Sequence, residues 1–184
     1  MTRKLRPLIS AEALANTVQR LALELDAAYT QRSPTLVGVL TGSFVFLGDL
    51  IRHMRIPLAH VTFIRLASYG VSTVSSGHVE VVMGLEAELI ASKDIVLVED
   101  IVDTGLTTHA ALQYLQCYRP ASLSLCVLLD KPARRQVPIH IDYLGFTVPD
   151  RFVVGYGTDF AQQYRQLPAI YTLADATETS ARRP

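Results

Sequence analysis

Ile95-Val96-Leu97-Val98 is an unbroken apolar run that stops abruptly at Glu99-Asp100. A strand with no polar side must be covered on both faces, which is the habit of parallel sheets. Leu36 to Leu40 and Leu123 to Leu129 are similar runs. Between them lie segments of helical spacing. Ser10 can cap a helix with Glu12 in its first turn, and Leu14, Val18, Leu21, Leu25 and Tyr29 then recur three and four apart as one apolar stripe. Ser33-Pro34 ends that helix. Phe44 to Met54 and Gly105 to Tyr118 read as two more, the latter stopped by Pro120. Strands are also expected at His60–Ala67, Val79–Met83, Ile141–Phe146 and Phe152–Gly155. The polar stretch Ser68 to Gly77 reads as a mobile loop at the tip of a hairpin arm. Strands alternating with helices give an α/β fold with right-handed crossovers. Ligand sites in such sheets lie at the carboxyl ends of the strands, where Thr41-Gly42-Ser43, Glu99-Asp100 and Lys131 all fall.

The 184 residues suit one domain spanning 1–184. The formal net charge is zero, so no global basic field draws the chain to nucleic acid or anionic membrane, and any bound anion must be held by local groups. Cys117 and Cys126 show neither metal-ligand spacing nor a disulfide framework. They read as small core residues in a reducing compartment. The N-terminus lacks the apolar run of a signal peptide, and no stretch approaches the ~20 apolar residues of a membrane span. A soluble, cytoplasmic protein is expected. The histidines have no metal-ligand spacing, and no Gly-x-Gly-x-x-Gly follows a strand.

The richest segment is Val98-Glu99-Asp100-Ile101-Val102-Asp103-Thr104-Gly105-Leu106-Thr107-Thr108. Like charges crowded after a buried strand are costly unless a cation or a polyhydroxyl ligand compensates them. Adjacent carboxylates can accept both hydroxyls of a ribose diol. The following turn opens a helix, whose free amides and dipole suit a phosphate, and Gly105 permits close backbone approach. One short segment can thus hold a sugar diol at one end and a phosphate at the other.

This string resembles the phosphoribosyl-diphosphate motif of type I phosphoribosyltransferases. Four other motifs resemble parts of the hypoxanthine-guanine type in the same order, between about residues 35 and 170. The resemblance implies a central, mostly parallel sheet flanked by helices, a flexible hairpin loop, and a small hood built from the N- and C-terminal segments. It implies that Glu99 and Asp100 bind the ribose hydroxyls, that Asp103, Thr104, Gly105, Leu106, Thr107 and Thr108 bind the 5-phosphate end of the donor, and that Asp103 is the general base at the purine N7. Leu40-Thr41-Gly42-Ser43-Phe44 resembles the pyrophosphate loop, with Thr41 where relatives often carry Lys. Arg135 and Arg165 would also serve pyrophosphate. Ser68-Tyr69 resembles the flexible lid. In Leu129-Asp130-Lys131-Pro132-Ala133-Arg134-Arg135, Lys131 would donate to the O6 of the base, and in the string from Val148 to Asp159 the ring of Phe152 would stack on the purine while the Val153 backbone reads its edge. Magnesium ions would be held by Glu99, Asp100 and Asp159.

The implied activity is purine salvage: transfer of 5-phosphoribosyl from phosphoribosyl diphosphate to hypoxanthine or guanine, giving IMP or GMP and pyrophosphate. Relatives form homodimers or homotetramers. A xanthine-guanine enzyme of the same fold is one alternative. An RNA-binding regulator of that fold is another, opposed by the zero net charge and by Asp103.

Overall fold

The computed structural model describes residues 4–68 and 79–173. Helix α1 (Ala11–Ala28) forms as its spacing predicts: Ser10 Oγ accepts the Ala13 amide at 3.1 Å, and Leu14, Val18, Leu21 and Leu25 are buried on one stripe. Strand β2 (Thr35–Leu40) is buried over almost its whole length and leads into α2 (Phe44–His53), which turns Phe46, Leu47 and Leu50 inward. Strands β3 (His60–Ser68) and β4 (Val79–Met83) pair antiparallel. Strand β5 (Asp94–Val102), α3 (Leu106–Gln116), β6 (Ser122–Asp130) and β7 (Tyr143–Thr147) complete the main sheet.

Its strand order is β4-β3-β2-β5-β6-β7, parallel throughout except for β4 at one edge. The two faces of β5 feed different cores. Val96 and Val98 pack with α1 and α2, while Ile95 and Leu97 pack with Ala111 and Leu115 of α3. Truncating a fully buried leucine such as Leu97 to alanine typically costs about 2–5 kcal/mol, so the apolar run that first suggested this fold also anchors it.

Three features depart from the sequence reading. Strand β5 does not stop at Val98 but stays paired with β6 from Asp94↔Ser122 to Val102↔Asp130, so both acids sit inside a ladder. A second sheet, β1-β9-β8, joins the two ends of the described chain: β1 (Leu5–Ile9) and β8 (Val153–Val154) flank β9 (Ile170–Leu173). The charged, Pro-containing β1 gave no strand signal because it is an edge strand, where proline and charge are tolerated. Finally, Cys117 is not a core residue. It lies exposed at the end of α3, whereas Cys126 is buried in β6.

Among the described residues no helix is long and apolar enough to cross a membrane.

Burial pushes the Cys126 thiol far above its ordinary range, and the thiolate is the reactive form. A thiol reagent added to the native protein is expected to label Cys117 promptly and Cys126 only after unfolding, measurable by mass spectrometry. Equally fast labelling of both would contradict this packing.

Candidate active site

The carboxyl ends of β2, β5 and β6 lie side by side, and three turns leave them. After β2, Thr41-Gly42 turns into α2. The Leu40–Thr41 peptide is cis, and Ser43 Oγ donates back to the Val39 carbonyl at 2.7 Å. The turn is pressed against β5: a Cβ on Gly42 would overlap the Asp100 carboxylate, and one on Gly157 would overlap the Gly42 carbonyl. The pyrophosphate-loop candidates therefore touch both the acidic strand and the segment after β8.

Successive strand side chains point to opposite faces, so Glu99 and Asp100 are not a side-by-side pair. Glu99 faces α3, is nearly inaccessible, and accepts Thr108 Oγ1 at 2.6 Å. Desolvation pushes its carboxyl from 4.5 up to about 8, and the nearby Asp100 charge adds to this. Asp100 faces the Gly42 turn. Burial pushes it up to about 6, and Asp159 opposes its ionisation further while Arg165 favours it.

After β5, Asp103-Thr104-Gly105 turns into α3. Gly105 sits at φ +85°, a left-handed conformation that suits glycine. The first-turn amides of α3 have no intrahelical acceptors; Thr104 Oγ1 accepts the Leu106 amide at 3.4 Å. Thr108 is committed to Glu99, whereas Thr107 is only partly covered.

Asp103 is the focus of the cations. Buried Lys131 donates Nζ to its Oδ2 at 3.4 Å. Arg134 Nε lies 3.3 Å from Oδ1 and 4.0 Å from the Asp150 carboxylate. Oδ1 is itself buried and accepts no hydrogen bond among the described residues. One oxygen of the predicted base is thus left with spare acceptor capacity. The sequence assigned Arg134 no role; its place beside Asp103 depends on the short helical turn Pro132–Arg134.

The hood supplies the remaining wall. Phe152 is 49% exposed, unlike the usual strand phenylalanine, and meets Phe160 edge-on with centroids 5.2 Å apart. Asp100, Ile101, Asp103, Lys131, Phe152, Val153, Thr158 and Asp159 line one cavity of about 130 Å³. Residues predicted from three separate stretches of sequence meet there. A larger space of about 550 Å³ between α1, α2 and residues 165–168 is lined by Arg165 but by none of the carboxylates 99, 100, 103 or 159.

Arg165 donates to the Gly157 carbonyl at 2.6 Å and pairs with Asp159 at 2.7 Å. Arg135 pairs with Asp130 and reaches the Asp103 carbonyl from Nε at 3.4 Å; none of these partners belongs to the Thr41-Gly42 turn. Ser68 ends β3, and Tyr69 lies outside the described residues together with the rest of the predicted loop. Sequence reading also missed Tyr156, whose hydroxyl donates to Asp49 of α2 at 2.7 Å and ties the hood to the helix behind the Gly42 turn.

Residues 8–161 match the family described as phosphoribosyl transferase domain. The chain belongs to the phosphoribosyltransferase family. It is 41% identical to the hypoxanthine-guanine phosphoribosyltransferase of Bacillus subtilis (strain 168), covering 94% of this chain and 95% of that protein. It is 40% identical to the enzyme of the same name from Aquifex aeolicus (strain VF5), with 94% and 97% covered. A crystal structure of a hypoxanthine-guanine phosphoribosyltransferase from Bacillus anthracis, holding HEPES in its active site, superposes with a TM-score of 0.87 at 40% identity over 94% of this chain and all of that one. The mixed α/β architecture of this phosphoribosyltransferase is therefore the one expected from its sequence.

Magnesium is a hard cation bound through one or two carboxylates plus waters and substrate phosphates rather than in an all-protein cage. Asp100 and Asp159 fit that habit. Their mutual repulsion, which opposes ionisation of Asp100, is what a cation relieves, and no cluster of three or more protein ligands is found among the described residues. Glu99, turned toward Thr108, is placed less well for this role than the sequence implied.

The raised Glu99 carboxyl makes a pH prediction. The folded state keeps a proton that the unfolded chain sheds above about pH 4.5, so this carboxyl costs stability as pH rises from there toward about 8, at up to about 1.4 kcal/mol per unit. Glu99→Gln removes that dependence. In metal-free protein its melting temperature relative to wild type should rise between pH 5 and pH 8; a gap that stays flat or falls would show that Glu99 ionises freely.

Proposed function

We propose that this chain is a purine-salvage phosphoribosyltransferase that transfers 5-phosphoribosyl from phosphoribosyl diphosphate to hypoxanthine or guanine. One observation carries the reading: Asp103, Lys131 and the exposed ring of Phe152 line a single small cavity. It lies beside the helix N-terminus of α3 and the Gly42 turn. A flat 6-oxopurine stacks on an aromatic face, a contact worth about 1–3 kcal/mol. Lys131 donates to O6, and Asp103 accepts from N7. An adenine amine would oppose the Lys131 ammonium donor to donor. The Val153 backbone reads the far edge of the ring.

The donor lies along the strand ends. Amides and hydroxyls of Thr104 to Thr108 hold the 5-phosphate, and Glu99 and Asp100 flank the strand end from its two faces to take the ribose hydroxyls. Thr41, Gly42 and Arg165 hold pyrophosphate, with backbone amides in place of a lysine at position 41. When bound at Asp100 and Asp159, magnesium supplies charge neutralisation for the departing pyrophosphate. As the C1–O bond loosens, N9 attacks C1 and Asp103 takes or shares the N7 proton. Ser68 and Tyr69 begin a lid that excludes water from the cationic sugar.

The whole of 1–184 acts as one catalytic domain in this reading, with the β1-β9-β8 sheet as hood. Free thiols suit the cytoplasm. Exposed Phe44, Val61 and Met83 suit subunit contacts in a homodimer or homotetramer. The xanthine-guanine and RNA-binding readings are not favoured: the relatives carry hypoxanthine-guanine names, and the chain has no net positive charge.

With phosphoribosyl diphosphate and magnesium, ultraviolet assays should show turnover of hypoxanthine and guanine but not adenine. Asp103→Asn should lose about 10²–10⁴-fold in kcat, the usual contribution of a positioned base. No turnover with any purine would overturn the assignment. In the same assay Lys131→Met should lose most kcat/KM for both 6-oxopurines, by about 10–100-fold for a lost charged hydrogen bond of roughly 1.5–3 kcal/mol. An unchanged value would remove Lys131 from the O6 role.

A further inference from the structure

The segment after β6 folds back over the turn that follows β5. The Lys131 amide donates to the Val102 carbonyl at 3.0 Å, and the Gln136 amide to the Thr104 carbonyl at 2.9 Å. Between these two bonds sits Arg135. Its guanidinium pairs with Asp130, the last residue of β6, and its Nε donates to the carbonyl of Asp103 at 3.4 Å. Its stem lies on Gly105, where an added Cβ would come within 2.9 Å of Arg135 Cδ, 3.0 Å of Ile139 Cγ1 and 3.2 Å of Val137 Cγ2. Both ion-pair partners are largely covered, at 17% and 14% side-chain exposure. A planar fork held by a carboxylate has a fixed direction. This one is fixed at its far end by the rigid ladder of β6 and at its near end by the backbone between the base and the phosphate turn.

We infer that Arg135 is a positioning residue rather than a pyrophosphate ligand: locked by Asp130, it sets where the Asp103 carboxylate and the 104–108 amides stand relative to one another. This rests on the function proposed above, because only that reaction requires the two to be registered. A lateral error of an ångström or so in such a register costs up to about 100-fold in rate. Asp130 is half of the device. Its carboxylate touches no proposed substrate, so the lock makes a claim that a substrate-binding arginine does not: Asp130→Asn must reproduce the defect of Arg135→Met.

The test is a double-mutant cycle on the full-length protein. Arg135→Met, Asp130→Asn and the double variant should each lose about 10- to 100-fold in kcat, the double no worse than the worse single, as expected for two residues acting as one unit. The inhibition constant for inorganic pyrophosphate should stay within about twofold of wild type, the scatter of an uncoupled site. Guanidinium ion in the millimolar range should restore part of kcat to Arg135→Ala, while Arg135→Lys should not recover it because an ammonium lacks the fork. Pyrophosphate inhibition weakened tenfold or more in Arg135→Met but not in Asp130→Asn would make Arg135 a ligand and overturn the inference, as would additive losses. Amide exchange at Thr104 to Leu106 gives a readout independent of turnover: it should quicken in both single variants, and unchanged exchange would contradict the lock. If wild type turns over no purine, the proposed function fails, and the exchange experiment still judges the brace separately.

Discussion

Everything at this site depends on balancing charge at the end of β5. Glu99, Asp100, Asp103 and, from the hood, Asp159 converge near a strand buried on both faces, where carboxylates are expensive. The protein meets that cost unevenly. Lys131 and Arg134 attend Asp103, and Arg165 attends Asp159. Glu99 and Asp100 are left raised toward about 8 and about 6 by burial. The acids with cationic partners suit proton and pyrophosphate chemistry. Those whose neighbouring arginines do not offset their burial suit hydroxyls and a cation that arrive with substrate. A neutral chain can bind a polyanionic donor in this way, through local groups and not through its overall field.

The sheet makes that balance rigid. Parallel pairing of β2, β5 and β6 brings their carboxyl ends to one edge, and the cores on both faces of β5 prevent it from tilting. Tyr156 then ties the hood to α2 through Asp49, and Gly157 rests against the Gly42 carbonyl. The wall carrying Phe152 and Val153 is therefore registered to the Gly42 turn through contacts made by Tyr156 and Gly157. A site assembled from distant stretches of chain needs such cross-ties, since each turn alone would be free to drift.

What the sequence disclosed follows from the range of the forces involved. Apolar runs and helical stripes are local signals, and β2, α1, α2, β5, α3 and β6 were legible from them. The acids at 99, 100 and 103 and the turn into α3 were legible because they follow one another along the chain. Strands β1 and β9 were not, because a mostly exposed edge strand and a four-residue strand carry no periodicity. The opposite facing of Glu99 and Asp100 became visible only once β5 was seen to continue past Val98. Arg134 and Arg135 looked alike in the sequence, as two basic residues after a lysine. The short helical turn Pro132–Arg134 sends one toward the Asp103 carboxylate and the other toward Asp130 and the Asp103 carbonyl, a division that no local pattern encodes.

In the proposed function the hood and the ends of β5 and β6 form one 6-oxopurine nucleotide site. The most direct measurement is a crystal structure of the protein with bound IMP. Hypoxanthine should lie over Phe152, with O6 at Lys131 Nζ, N7 at Asp103, and the phosphate on the turn from Thr104 to Thr108. A nucleotide seated elsewhere, or one whose O6 is turned away from Lys131, would contradict it.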